Sequence, residues 1–135
     1  MTSFTTADVP GVLEHDGTVS SHFMFPMESM REQTQGSHLQ FINEFVVEAG
    51  KAIEPHLHNS HEFYYVLSGH GTMRVGEEVR EVAPGDLVHT PPNVPHSVFA
   101  HRSGIRCLAF AVSFQAPGEM HTPVHFDNWP PSLSG

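Results

Sequence analysis

Short strand-like runs separated by Gly, Pro, Asn and Asp divide this chain, and this division limits its possible folds more than any other feature. In the run LQFINEFVV, Leu39, Phe41, Phe45 and Val47 share one parity, which is the period-two pattern of a half-buried strand. The other candidate strands are TVSSHFMF, EFYYVLSG, GTMRV, EEVREV, DLVHT, HSVFAH and IRCLAFAVSF. The segments SGHG, VGEE and APGD have the residues typical of tight turns, and only ESMREQTQ has a helical look. Many short strands at close spacing predict an all-β, antiparallel sandwich or small barrel.

The length of 135 residues suits a single domain. Residues 1–17 are polar and turn-rich, so we expect an N-terminal arm or a first edge there. A β-barrel is expected over residues 18–116. The segment 117–135 is rich in proline, and we expect a tail that lies on the barrel or, more simply, frays.

Charge and composition exclude several classes of partner. The chain has fifteen acidic residues and six Lys and Arg, which gives a net charge of −9. The sequence contains no basic cluster that could bind nucleic acid or an anionic membrane. No run approaches the length of a membrane span, and the first thirty residues lack the pattern of a signal peptide. We therefore expect a cytoplasmic protein. The lone Cys107 lies in an apolar run, which favours a buried thiol over a catalytic one.

The segment HLHNSHE raises the question of a metal site, because three His and one Glu occupy seven positions. His56 and His58 are two residues apart on an extended segment, so both imidazoles project to the same face. Glu62 opens the next apolar strand, where a carboxylate is costly unless it is paired or bound to a cation. A fourth ligand is available from His96, which follows the Pro-rich bend PPNVP. Three neutral imidazoles and one carboxylate suit Fe(II), Mn(II), Ni(II), Cu(II) or Zn(II), and the alternative is a polar core without an ion.

These residues resemble the two motifs of the cupin superfamily. The first motif, G-x5-HxH-x3-E-x6-G, is met at every position by Gly50, His56, His58, Glu62 and Gly69. The second, G-x5-PxG-x2-H-x3-N, is met by Gly85, Pro91 and His96, whereas Asn93 replaces its glycine and Ala100 its asparagine. Asn tolerates left-handed backbone better than most residues, so the turn at Asn93 can survive the change.

The resemblance implies a jelly-roll β-barrel with one divalent transition ion in its open end. The implied ligands are His56, His58, Glu62 and His96. Fe(II) or Mn(II) is the favoured ion, and Zn(II), Ni(II) or Cu(II) is possible. The resemblance also implies a homodimer that forms through an outer sheet.

Three functions follow from this resemblance, each with a small organic molecule as substrate or ligand. The leading hypothesis is an oxidoreductase of the dioxygenase type. The second is a non-redox lyase, isomerase or cyclase that uses Tyr64 and Glu62 in acid–base steps, because Tyr64 lies one pleat beyond Glu62 on the same face. The third is a non-catalytic module that binds a small molecule such as a sugar.

Several further residues are candidates for a role near the site. Arg74 and Arg106 are the best candidates to bind an anionic group of the substrate. His61 is expected at the surface or as a partner of a ligand, and His70 in a solvated turn. His89 and His101 could line the rim, and His121 and His125 could fold over the mouth.

Overall fold

Antiparallel strands make up most of the residues that this computed structural model describes, which are 6–25, 32, 34–113 and 121–133. The strands are β1 (Val12–Glu14), β2 (Val19–Phe25), β3 (Leu39–Val47), β4 (His56–His58), β5 (His61–Val75), β6 (Glu78–Val82), β7 (Leu87–Thr90), β8 (His96–Val112) and β9 (His121–Pro123). A turn of 3₁₀ helix, Thr6–Asp8, precedes β1. The prediction of an all-β antiparallel fold is confirmed. Within the described ranges, no helix has the length and apolar character needed to cross a membrane.

The long strand β8 lies at the centre of the sheet. One path of neighbours runs β1-β2-β3-β8-β4-β9, and β5 pairs with β6, β7 and β8. The first residues of β8 pair with β4 and with the end of β5, and its later residues lie between β3 and the start of β5. The sheet therefore curls into a half-barrel, and β8 connects its two ends.

The predicted turn at SGHG is wrong, because residues 68–71 lie inside β5. The register of β5 against β8 shifts between Val66 and Ser68 and again between Gly69 and Gly71, so the strand bends without reversing. Gly69 has a φ of 80°, and a Cβ there would lie 2.1 Å from the carbonyl oxygen of Gly104. A glycine is therefore required at position 69 because the strand bulges there and passes close to the backbone of Gly104. It is not required by a hairpin turn. Turns do occur at VGEE and APGD, as predicted.

The strand parity predicted for β3 is confirmed for three of its four residues, and the fourth, Leu39, is half-buried. Phe41, Phe45 and Val47 of β3 are buried, and Tyr64 and Val66 of β5 are buried on the same face of the sheet, with β8 between the two strands. On the opposite face of β5, Tyr65 and Leu67 are exposed. Cys107 is also buried, and burial raises the pKa of its thiol to about 12, so it is a packing residue.

Both ends of the described chain pack against the sheet. Residues 12–14, within the expected arm, form edge strand β1 on β2. In the C-terminal segment, β9 pairs with β4, Phe126 is buried, and the Trp129 indole donates a hydrogen bond of 2.8 Å to Ser97 Oγ. Residues 121–133 therefore lie on the sheet, where strand pairing and aromatic burial hold them. Most of the helical candidate ESMREQTQ lies outside the described residues.

Candidate metal centre

The short strand β4 presents two imidazoles to the interior. His56 and His58 are both buried, as their shared parity predicts, and the residue between them is less so. The Nδ1 atom of His56 donates a hydrogen bond of 2.6 Å to the carbonyl oxygen of Glu54. This hydrogen bond fixes the tautomer of His56, so that its Nε2 carries a lone pair directed into the site.

Glu62 and His96 reach the same point from two other strands. Glu62 follows the bend at Asn59 and Ser60, and His96 begins β8 directly opposite His56. The bend before His96 is tied to β4, because the backbone N–H of Asn93 donates to the carbonyl oxygen of His58 at 2.7 Å. Asn93 has a φ of 63°, so the left-handed turn predicted for it is observed. The Nδ1 atom of His96 donates to the carbonyl oxygen of Val94 at 3.1 Å.

The ligand atoms of the four side chains converge on one point between β4, β5 and β8. His56 Nε2 lies 3.0 Å from His58 Nε2, which in turn lies 2.9 Å from Glu62 Oε2. His96 Nε2 lies 3.4 Å from the same carboxylate oxygen, and all four ligand atoms lie within 4.8 Å of one another. Ligands about 2.1 Å from an ion and at right angles to each other would be about 3.0 Å apart. The spacing of the four therefore fits a single transition ion.

Hydrogen bonding alone leaves part of this cluster unsatisfied. His56 and His96 carry their protons on Nδ1, so both present lone pairs at Nε2, and a carboxylate oxygen is also an acceptor. Glu62 Oε2 and His96 Nε2 lie close together, yet within the described residues neither has a hydrogen bond with donor geometry. A proton on His58 Nε2 can serve only one neighbour at a time. Buried lone pairs that face one another are stabilised by a cation, so the residues fit a metal ion.

The protonation states of His56 and Glu62 are those that bind metals. Burial, with His96 nearby, lowers the pKa of His56 from its usual 6.5 to about 3, so this imidazole is neutral at pH 7. For Glu62, burial by itself would raise the pKa, but the contacts with His58 and His96 outweigh it and lower the pKa. An ionised carboxylate and a neutral imidazole are both competent ligands without further proton loss.

A cavity of about 60 Å³ opens beside these ligands. Tyr64 lines it next to Glu62, with its ring edge-on to Phe45 at 4.9 Å and to His96 at 6.3 Å between centroids. The apolar lining consists of Val19, Phe23, Phe41, Phe45 and Ile53, and the polar lining of Glu14, His15, Ser21, Asn43, His58, Glu62 and Tyr64. Because about 10–15 Å³ is enough to hold one water molecule, a cavity of this volume suits a ligand of few atoms.

Sequence reasoning missed the contribution of the β1–β2 hairpin. Its turn places Glu14 and His15 at the cavity, and the ring centroids of His15 and His56 are 4.8 Å apart. His15 and Asp16 have φ values of 50° and 56°, the left-handed conformation needed by a tight hairpin turn. The sequence HDG at positions 15–17 is typical of such a turn. Only the pairing of β1 with β2 shows that the turn lies beside the ligands.

The two arginines predicted for an anionic substrate lie elsewhere, so that prediction is wrong. The Arg74 guanidinium is stacked 3.8 Å above the Phe126 ring, and its Nε donates to the carbonyl oxygen of Gly76. Arg106 pairs with Glu44 at 2.6 Å. Neither residue lines the cavity at the ligands.

The remaining histidines are dispersed around the fold. His61 Nδ1 and His89 Nε2 are 2.9 Å apart on the outside of the sheet, and their rings are stacked. His70 is exposed, although it lies in a strand, and His101 is buried with its Nε2 2.7 Å from the hydroxyl of Thr72. His125 is exposed beside Asp127 and does not line the cavity, and the side chain of His121 lies outside the described residues.

Comparison with known proteins agrees with this arrangement. The family model of the cupin domain matches residues 43–113, a little over half of the chain, which include all four candidate ligands. The chain belongs to the cupin family. This cupin is 33% identical over 89 residues to an uncharacterised protein of Streptomyces coelicolor, a match that covers 61% of this chain and 85% of that protein.

Solved structures with the same fold include enzymes. A predicted oxalate decarboxylase of Thermotoga maritima matches with a TM-score of 0.72 at 17% identity, over 84% of this cupin and 100% of that chain. The polyketide cyclase RemF of Streptomyces resistomycificus matches with a TM-score of 0.71 at 18% identity, over 96% and 89% of the two chains. Oxalate decarboxylase of Bacillus subtilis, described with Mn(II) centres, matches at 0.67 and 21% identity over 90% of this cupin and 32% of that chain.

Proposed function

We propose that this cupin is a metal-dependent enzyme that acts on a small organic molecule bound in the cavity beside His58, Glu62 and Tyr64. The observation that carries the proposal is the convergence of three imidazole nitrogens and one carboxylate oxygen, all buried, among which Glu62 Oε2 and His96 Nε2 have no hydrogen bond from the described residues. In a cluster that served only the stability of the fold, buried acceptors without donors would be a cost, because each loses its hydrogen bonds to water.

His56, His58, Glu62 and His96 would hold the ion. A divalent ion bound there would supply a Lewis acid that stabilises negative charge on a substrate oxygen. Mn(II) and Fe(II) are the favoured ions, in agreement with the Mn(II) centres named for the Bacillus subtilis enzyme.

Within this proposal, Tyr64 moves the proton. Its side chain lines the cavity next to Glu62 and is held in place by the edge-on contact with Phe45. Because Glu62 serves as a ligand, Tyr64 is the better placed of the two predicted acid–base residues to exchange a proton with the substrate. Phe23, Phe41 and Phe45 form the apolar part of the wall against which the substrate would pack. These features favour a non-redox reaction, such as that of a lyase, isomerase, decarboxylase or cyclase.

The second candidate is the dioxygenase-type reaction predicted first from the sequence. The observation that favours it is the number of ligands, because four protein ligands leave two positions of a six-coordinate ion open. The structural relatives named above are decarboxylases and a cyclase, so we place this candidate second.

One experiment tests the proposal and separates the two reactions. The protein is purified without chelator, its metal content is measured, and small hydroxy acids, keto acids and enols are screened as substrates with and without oxygen. We expect about one ion per chain and turnover that continues without oxygen. Turnover that stops without oxygen would select the dioxygenase. Ligand binding that chelation leaves unchanged, with no turnover, would select the binding module.

We also propose a homodimer in the cytoplasm. Tyr65 and Leu87 are register partners on the outer face of β5 and β7, and they are 40% and 57% exposed, beside Leu67 at 41%. An apolar group of this kind on a sheet surface is typical of a contact with another chain. Analytical ultracentrifugation of Leu87→Lys beside the wild type tests this: we expect a dimer to become a monomer, and two identical profiles would refute it.

A further inference from the structure

Asn43 is a buried amide that lines the cavity. It lies on β3, where its register partners are Phe23 on β2 and Ala109 on β8, and it is 7% exposed. No described residue donates a hydrogen bond to its side-chain oxygen, Oδ1. Buried polar groups are nearly always hydrogen-bonded, so an acceptor left free at a cavity is suited to a donor on a ligand.

Asn43 is a polar residue on a strand face that is otherwise apolar. Phe41 and Phe45, two residues away on either side, face the same cavity. An apolar residue of similar size at position 43 would continue that wall and would remove an unsatisfied buried group, so packing alone does not explain an amide here.

The charges around the cavity limit the chemical groups that a ligand can carry. Its described lining contains two carboxylates, Glu14 and Glu62, and no Lys or Arg. A second carboxylate on a substrate would therefore meet negative charge and no cation besides the ion itself, whereas a hydroxyl or N–H group would meet an acceptor in Asn43.

We propose that Asn43 orients the substrate by accepting a hydrogen bond from its hydroxyl or N–H group. The substrate class is then a small molecule with one metal-binding oxygen group and one hydrogen-bond donor, such as a short hydroxy acid, and not a dicarboxylate. This inference rests on the proposed function, because it places the other end of the substrate at the ion held by His56, His58, Glu62 and His96.

Binding of simple probes to the Co(II)-loaded protein tests the proposal, with the visible spectrum of the ion as the readout. The probes are glycolate, acetate and oxalate. Glycolate differs from acetate by one hydroxyl, and any direct contact of that hydroxyl with the ion is the same in every variant. We expect the wild type to prefer glycolate over acetate, and also over oxalate once each affinity is divided by that of the same probe for Co(II) in solution. In Asn43→Leu, we expect the preference for glycolate over acetate to fall about three- to tenfold, the value of one hydrogen bond.

Two further variants make the result specific. Gln40→Leu removes another buried amide of β3 whose Oε1 also lacks a described hydrogen bond but which does not line the cavity, so its preference should equal that of the wild type. Asn43→Asp keeps an acceptor of the same shape and should keep the ratio of glycolate to acetate, even if every probe binds more weakly. Asn43→Ala also removes the acceptor, and it replaces the Leu variant if that protein does not fold.

The outcomes separate the two proposals. If the wild type holds Co(II) but Asn43→Leu keeps the wild-type preference for glycolate over acetate, the role of Asn43 is refuted and the metal site stands. The same holds if oxalate is still the preferred probe after each affinity is divided by that for Co(II) in solution. If the wild type holds no metal, the proposed function itself fails.

Discussion

His56 of β4 lies directly opposite His96 of β8, and their ring centroids are 4.4 Å apart although 40 positions separate them in the sequence. The pairing of two strands therefore decides the geometry of the candidate metal centre. A change at either residue should alter ion binding with little effect on strand pairing, because the ladder uses backbone atoms only.

Replacing His96 by Ala should weaken binding of Mn(II) or Fe(II) by at least about 100-fold, because loss of a direct ligand exceeds the effect of losing an outer contact. Metal content after dialysis and titration calorimetry measure this. His125→Ala, which changes an exposed histidine away from the cavity, is the control and should bind as the wild type does. A full complement of metal in His96→Ala would contradict the ligand assignment.

The metal-free protein should lose stability as the pH falls from 6.5 towards 3. The pKa of His56 is lowered to about 3 in the folded protein, so only the unfolded chain takes up this proton in that window. Each such proton changes the free energy of unfolding by about 1.4 kcal/mol per pH unit. Below its usual pKa of 4.5, Glu62 adds to the loss, because its pKa is also lowered in the fold.

Urea unfolding of the chelated protein at several pH values measures this slope, with His56→Gln as the comparison. The variant should show a shallower dependence on pH by about one proton between pH 6.5 and 4.5. Identical slopes in the two proteins would show that His56 is already protonated in the fold.

Tyr64→Phe should lower kcat by about 100-fold or more for any substrate found in the screen, because it removes the proton-transfer group. Metal content should not change. Tyr65→Phe is the matched control, since Tyr65 is the next residue on the exposed face of the same strand and should keep its activity. Equal activity of the two variants would leave Tyr64 as a packing residue.

The backbone approach at Gly69 predicts a large effect on stability. Gly69→Ala should lower the free energy of unfolding by about 3 kcal/mol or more, because a Cβ would collide with the Gly104 carbonyl in addition to the left-handed strain. Gly17→Ala isolates the strain, since Gly17 has the same φ of 80° but no atom within 4 Å of the added carbon. It should cost about 1–2 kcal/mol, and denaturant titrations compare the two. Equal losses of unfolding free energy in the two variants would show that the backbone at Gly104 moves away from position 69 at little cost.

The sequence was informative wherever a local rule sets the direction of a side chain. The alternation of a strand places His56 and His58 on one face, and the same rule separates Tyr64 from Tyr65. It failed where a distant strand decides. SGHG is a strand bend because Gly104 passes beside Gly69, and Arg74 is held away from the cavity by Phe126, 52 positions later.

The sequence also did not predict which residues reach the cavity through the pairing of one strand with another. Glu14 and His15 reach the cavity only because β1 is an edge strand on β2, and Asn43 faces inward on a strand whose apolar members alone drew attention. Both follow from registers between strands, which period-two patterns do not specify.

The 17 residues of β8 also bear on the order of events during folding. This strand pairs with β3, β4 and β5, so it can settle only after segments from most of the chain have gathered around it. Contacts between such distant segments form late and slowly. We therefore expect the ion to be captured by an almost finished barrel, adding to the lifetime of the native state without speeding its formation.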